Sequence, residues 1–282
     1  MDINKIKMLT LRALMSEEFL MHSLVLKGGN ALQLAYEITN RGSIDIDFSV
    51  EREFTEEEIK KMPIVLDMIL DRVFRKENLK AFDIKFELKP KNNVIPEWKG
   101  YIILFKLIEL DKFIEFGDDI DSIRRNAISV HDNSSTQYSV DISAYEYVET
   151  ATTKEVEGIL LRVYTLEMIL LEKIRALCQT MPEYKEIVPS AKEKQRARDV
   201  YDIYTIYSQA ELNLEEDILR EIFKAKQVPL SLINKLESLR EHNRDDWNRV
   251  IQTVSADEEL KEYDFYFDEL LKIASQFKDL SE

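Results

Sequence analysis

Two aspartates one residue apart, Asp45 and Asp47, are the side chains best placed by type and spacing to do chemistry. They fall in a stretch, 44–50, that reads as a strand. Side chains on a strand alternate between faces, so Asp45 and Asp47 share one face while Ile44, Ile46 and Phe48 share the other. Two carboxylates on one face repel each other unless a cation sits between them. Mg²⁺ commonly binds one or two carboxylates together with substrate phosphates. Upstream, an apolar run at 24–26 leads into Gly28-Gly29 and a short helical pattern from Asn30, which can serve as its cap. The glycines either let a phosphate approach backbone N–H groups at a helix start or form an ordinary tight turn. They match neither the P-loop nor the full dinucleotide fingerprint. A Gly-Gly turn followed by Asp-x-Asp fits a site for a nucleoside triphosphate and a divalent metal.

Asp141 lies in a second alternating stretch, 138–143, where Val140 and Ile142 would face a core. If that strand neighbours 44–50, three carboxylates converge, as a two-metal phosphoryl or nucleotidyl transfer site requires. Otherwise Asp141 is a strand-end aspartate. Lys173 shares a helical stripe with Leu166, Ile169, Leu170 and Leu177. A lysine there either snorkels to solvent or meets an anion such as phosphate. Arg198 and Asp202, at i and i+4, can pair with each other. Alternatively Arg196 or Arg198 reaches phosphate while Asp199 orients Lys173. His22, His131 and His242 show no metal-ligand spacing.

The elements that must position these residues divide the chain in two. Strands are expected at 24–26, 44–50, 82–89, 101–109, 138–143 and 159–163, with helices at 3–20, 30–38 and 55–77. Thr55 and Glu58 have the spacing of a capping box, and Pro63 sits early enough to kink the helix rather than end it. From 165 onward the pattern is almost entirely helical, at about 165–180, 190–208, 214–226, 230–242, 243–254 and 257–279. The fold class expected is α+β, with a mixed-sheet domain over 1–160 and an all-α domain over 161–282 that closes the site cleft. The 39 basic and 54 acidic residues give a net charge of −15. A protein that grips nucleic acid by bulk charge would be basic, so this one needs a local basic patch, a small nucleotide substrate or a basic partner. Cys178, the lone cysteine, excludes an internal disulfide, fits a reducing compartment and reads as a buried thiol. With no apolar signal core and no apolar run near ~20 residues, the expected location is cytoplasmic, away from membranes.

Lys27-Gly28-Gly29-Asn30-Ala31-Leu32, then Arg41-x-Ser43-x-Asp45-x-Asp47-Phe48, then Glu172-Lys173 with Leu177, then Arg196-x-Arg198-Asp199-x-Tyr201-Asp202 together resemble the AbiEii/AbiGii toxin family. The MenT toxins are similar, and both groups are nucleotidyltransferases of the DNA polymerase β superfamily. The resemblance spans about 20–210. It implies a polymerase β-like catalytic domain and an Mg²⁺-dependent toxin of a toxin–antitoxin or phage abortive-infection system. The reaction implied is transfer of a nucleoside monophosphate from an NTP, GTP or a pyrimidine NTP among the candidates. The acceptor would be a hydroxyl such as a tRNA 3′ end, and an antitoxin would be encoded by a neighbouring gene. Asp45, Asp47 and, by position, Asp141 would hold two Mg²⁺ ions. Lys27, Gly28, Gly29, Asn30, Arg41, Ser43, Lys173, Arg196 and Arg198 would contact the nucleotide, and Asp199 would support catalysis beside Lys173. Asn30 stands where the family usually has Thr or Ser, and Arg198 where it usually has Lys. Other superfamily members modify a protein or small molecule, and a non-catalytic nucleotide-binding module is a further alternative.

Overall fold

The computed structural model describes residues 2–39, 45–91, 95–129, 135–254, 259–278 and 280. The chain opens with α1 (Ile3–Met15) and α2 (Glu18–Ser23). A single helix over 3–20 was the expectation, but Ser16 turns its N–H back to Ala13 and Leu14 and Glu17 becomes extended, which splits it. Next come β1 (Val25–Lys27), α3 (Gly28–Asn30) with a π-helical turn over Ala31–Ala35, β2 (Ile46–Ser49), α4 (Glu56–Phe74) and β3 (Leu79–Lys89). Then follow β4 (Gly100–Glu109), α5 (Leu110–Phe116), α6 (Ile120–Arg125), β5 (Tyr138–Ser143), β6 (Thr152–Val156) and β7 (Ile159–Val163). The remainder is helical: α7 (Leu166–Cys178), α8 (Tyr184–Ile187), α9 (Ala197–Gln209), α10 (Glu216–Lys224), a 3₁₀ run over Leu230–Leu239, α11 (Arg240–Arg244), α12 (Trp247–Thr253) and α13 (Tyr263–Ala274). The protein is thus α+β with a helical C-terminal region. It divides into two compact units: residues 1–26, 44–144 and 153–162 form one, and 27–43, 145–152 and 163–282 form the other.

In the first unit the strands form a mixed sheet of seven, ordered β3-β4-β5-β2-β1-β7-β6. β2 pairs with β5 in parallel, while β4 runs antiparallel to both β5 and β3. Alternation explains the core: Val140 and Ile142 on β5 and Ile46 and Phe48 on β2 are buried, with half-buried polar residues between them. The capping box is present at α4. Thr55 Oγ1 accepts from the Glu58 N–H at 3.3 Å, and Glu58 Oε2 accepts from the Thr55 N–H at 2.7 Å. Pro63 lies inside α4, which continues past it. The α5–α6 pair and β6 went unrecognised in the sequence. They are only 5 to 7 residues long, too few positions to show a period.

In the second unit α7 is the central element, buried at ten positions from Met168 to Cys178. Cys178 is fully buried, and desolvation pushes its thiol well above the ordinary range. Tyr201, Tyr204, Trp247, Tyr263 and Tyr266 stack among α9, α12 and α13, so the aromatics near 263–267 are packing residues. The helix expected over 190–208 starts only at Ala197. Asn243 Oδ1 accepts the Arg196 N–H at 2.6 Å, and this cap from a distant segment fixes the start.

Gly100 pairs with Ser143 across β4 and β5, and a Cβ at this position would stand 2.5 Å from the Ile142 carbonyl oxygen. The neighbour is sheet backbone and cannot yield cheaply. Gly100→Ala should therefore destabilise the fold by about 1–3 kcal/mol, read as a lowered urea midpoint with unchanged slope.

Candidate active site

The carboxylates are positioned by the sheet. Asp45 lies one residue before β2 and is exposed, while Asp47 is half-buried within the strand. The parallel register pairs Asp47 with Asp141 and Ser49 with Ser143. Residues in register point to the same face. Asp47 and Asp141 therefore share the face opposite Ile46, Phe48, Val140 and Ile142, so the two strands are neighbours as the three-carboxylate expectation required. Lys89, the last residue of β3, places its Nζ against Asp141 Oδ1. Hard carboxylate oxygens suit Mg²⁺. Among the described residues, however, no three His, Cys, Asp or Glu side chains are gathered into a metal-ligand group. The residues present fit Mg²⁺ held by one or two carboxylates and completed by phosphate oxygens and water.

Beside Asp45 the first unit has a narrow slot of about 30 Å³, lined on its polar side by Lys7, Thr10, Gln137, Tyr138 and Ser139. Burial pushes the Tyr138 phenol up to about 12, so the hydroxyl is a neutral donor, and it has no partner among the described residues. Lys7 is buried, which lowers its pKa. The slot is of a size for one or two waters. Nothing in the sequence marks it, because its polar residues come from α1 and from the start of β5.

In the second unit, Gly28 opens the turn after β1 with φ of +67°, a conformation that favours glycine. Asn30 does not cap the helix. The turn already begins after Lys27, so Asn30 has helical dihedrals, and its side chain is fully buried. The helix expected to run to Ile38 ends in the π turn at Ala35, and Tyr36 Oη then donates to the Tyr164 carbonyl at 2.8 Å. Arg41 and Ser43 lie outside the described residues.

Lys27 belongs to a buried ionic group that the sequence did not reveal. Its Nζ donates to Glu146 at 3.1 Å and to Glu172 at 2.7 Å. Arg175 donates to the same two carboxylates at 3.1 Å each, and Lys226 Nζ stands 3.6 Å from Glu146. Burial opposes the charge on Lys27, but Glu146 and Glu172 outweigh it and hold its pKa above the ordinary range. Glu172 and Arg175 carried a signal, since they are charged, three residues apart and set in an apolar helix. Glu146 and Lys226 lie outside regular elements and carried none.

Lys173 is buried, and both hydrogen bonds explain why. Its Nζ donates to Asp199 Oδ1 and Asp202 Oδ2, each at 2.8 Å. Arg196 Nη1 donates to Asp199 Oδ2, also at 2.8 Å. Asp199 therefore orients Lys173, one of the alternatives the sequence left open. Arg198 is exposed, whereas Asp202 is buried against Lys173. Burial raises the pKa of Asp199, yet Lys173 and Arg196 more than reverse this and hold it well below the usual carboxylate range. Lys173→Met would strand the buried Asp202 carboxylate and should cost about 3–5 kcal/mol. Chemical denaturation should show that loss, and Asp202→Asn in the same chain should recover part of it. A Lys173→Met variant as stable as the parent would sink this account of the clamp.

The family model for the nucleotidyl transferase AbiEii toxin of type IV toxin–antitoxin systems matches residues 9–269. No curated protein matches the chain. Among solved structures, a Helicobacter pylori chain assigned as a nucleotidyltransferase is similar at 15% identity and a TM-score of 0.49, covering 98% of this chain and 93% of that one. JHP933 from Helicobacter pylori is similar at 15% identity and 0.47, with 98% and 91% covered. An antigenic nucleotidyltransferase-like protein from Paracoccidioides brasiliensis follows at 15% and 0.36, with 84% and 91% covered. The chain belongs to the AbiEii family of nucleotidyltransferase toxins.

Proposed function

We propose that this protein transfers a nucleoside monophosphate from an NTP to an acceptor hydroxyl at the 3′ end of an RNA such as tRNA, and that it acts in the cytoplasm as the toxin of a pair with a neighbouring antitoxin. The observation that carries the reading is the register pairing of Asp47 with Asp141 next to Asp45. In this reading Asp45 and Asp47 bind Mg²⁺, with two ions in the full reaction. When bound, the metal supplies Lewis-acid stabilisation of phosphoryl oxygens and lowers the pKa of an attacking hydroxyl. Asp141 becomes a third ligand by giving up Lys89, whose side chain is 54% exposed and can swing away. Gly28 and Gly29 keep side chains out of the way of a phosphate at the turn, and Lys27 and Asn30 flank it. Lys173 donates two of its three N–H groups to Asp199 and Asp202, and the third is offered to a phosphate oxygen. Arg196 reinforces Asp199, and the exposed Arg198 meets phosphate from solvent.

The net charge of −15 favours a second reading in which the acceptor is a protein or a small molecule, because an acidic surface repels RNA. Labelling separates the two. With Mg²⁺, each of the NTPs in labelled form and a mixture of total tRNA and cell protein, label should move with tRNA. Label moving with protein instead would establish the second reading. Asp47→Asn should lower incorporation by at least about 100-fold, since even the partners of metal ligands are worth about 10–100-fold. No incorporation into any acceptor, with no nucleotide binding by calorimetry, would overturn both readings and leave a non-catalytic module.

A further inference from the structure

The face of the sheet that carries Asp47 and Asp141 continues past them. Across β5, β4 and β3, Asp141 stands opposite Ile102, and Ile102 opposite Glu87. One step along, Ser139 stands opposite Leu104 and Leu104 opposite Lys85. On the other side Lys89 stands opposite Gly100. Residues directly opposite each other share a face, so these positions and the two aspartates form one surface. Farther along β3 and β4 the same face is covered. There Phe82, in register with Lys106, packs with Ile108 against Ile123 of α6 and against Phe113, Phe116 and Ala127. Asp83, at the bulge in β3, ends the covered part: Lys106 donates to it at 3.1 Å and Arg124 donates twice at 2.8 Å. Beyond the bulge, Ile102 and Leu104 are half-buried, and Lys85 and Lys89 are exposed. This strip measures about 10 Å from β5 to β3 and about 13 Å from Lys85 to Lys89.

We propose that this strip is the acceptor subsite and that its occupant is the 3′ end of a single-stranded RNA. The terminal base lies on Ile102 and Leu104, the phosphate before it meets Lys85 and Lys89, and the terminal hydroxyl lies beside Asp141. Calling the bound RNA an acceptor rests on the transferase reading. Charge complementarity supports the occupant. β3 is the outermost strand of the sheet, and Lys85, Glu87, Lys89 and Lys91 place three lysines and one carboxylate along its end. That is the local basic patch an acidic chain needs in order to hold RNA. Lys91 engages Glu87 at 3.1 Å and Lys89 engages Asp141, whereas Lys85 has no ion-pair or hydrogen-bond partner among the described residues. Half-exposed aliphatic side chains gain from being covered by the flat apolar face of a base. The order of these features separates an RNA end from an NTP. The lysines stand about 10 Å from the aspartates, with the aliphatic floor between them. An NTP has its phosphates at its reacting end. An RNA 3′ end has its phosphate on the far side of the last nucleoside from the 3′-hydroxyl, as the strip requires.

The test measures the affinity of the full chain for a fluorescent oligoribonucleotide with a free 3′-hydroxyl, by anisotropy over a range of salt and without NTP. The variants are Lys85→Glu, Lys85→Arg and, as a control with the same change of charge, Lys60→Glu. Lys60 is exposed on α4, which packs on the opposite face of the sheet, where its Phe74 meets Phe105. Lys85→Glu should weaken binding about 10-fold at low salt and reduce the log–log salt slope by about 0.7, the share of one phosphate contact on a single strand. Lys85→Arg should bind as the parent does, and Lys60→Glu should change affinity by less than about 2-fold, since its charge lies beyond the screening length. All three should unfold at the temperature of the parent, because both positions are exposed. In incorporation assays Lys85→Glu should raise KM for RNA while kcat and KM for the NTP hold. The proposal is overturned if the parent does not bind the oligoribonucleotide, if Lys85→Glu and Lys60→Glu act alike, or if KM for the NTP rises instead. Label entering protein rather than RNA overturns it as well. Incorporation into RNA with KM indifferent to Lys85 removes the subsite and leaves the transferase reading standing. RNA binding that depends on Lys85, with no incorporation into any acceptor, removes the transferase reading and leaves the strip as an RNA site.

Discussion

The parallel register of β2 against β5 is the constraint on which the candidate chemistry depends. Side chains alternate with a period of two, so a slip of one residue would turn Asp47 inward and expose Phe48. What prevents the slip is apolar. Ile46 sits in register with Val140 and Phe48 with Ile142, and all four are no more than 3% exposed. Burying each such side chain is worth about 1.5–3 kcal/mol, more than an ion pair at a half-exposed carboxylate contributes. The carboxylates are thus held close by their hydrophobic neighbours against mutual repulsion, and Lys89 offsets part of that repulsion at Asp141.

The second unit solves a different problem, that of placing charge inside a helical core. Successive residues of α7, Glu172 and Lys173, point about 100° apart and enter two separate ionic groups. Around Lys173 the charges balance, with Arg196 and Lys173 set against Asp199 and Asp202. Around Glu146 the described ion pairs bring Lys27, Arg175 and Lys226 to one shared carboxylate. Two charge-assisted hydrogen bonds tie the Lys173 ammonium to α9, and Lys173 is accordingly a residue with one defined position.

The fold class was legible because long, strongly patterned segments carried it. Strand alternation at 138–143 put Val140 and Ile142 in the core and Asp141 on the other face, as found. The capping box at Thr55 and Glu58 was readable for the same reason, since the signal is local. The failures were at turns and at partners distant in sequence. Asn30 looked like a helix cap, but the positive φ of Gly28 starts the turn two residues earlier. The start of α9 is set by Asn243, 47 residues away, which no local pattern can announce. Lys173 was conspicuous as a lysine on an apolar stripe, yet its partners could be chosen only once α9 was seen to present Asp199 and Asp202 to it. Glu146 was invisible for a stronger reason: its importance comes from meeting cations that are 119, 29 and 80 residues away in the chain.

The charge of the whole chain and the charge of its interior point in opposite directions. A net charge of −15 works against the long-range attraction by which many nucleic-acid proteins capture their ligand. That field is screened beyond about 8 Å at physiological salt, so at short range the local arrangement decides. Locally, Lys27, Arg175 and Lys226 are largely withdrawn from water, where charges interact far more strongly than they would on the surface. Such a design trades rate of encounter for selectivity of contact. An anion gains from a rigid interior set of donors only by fitting it, and acidic surroundings penalise polyanions that approach without fitting.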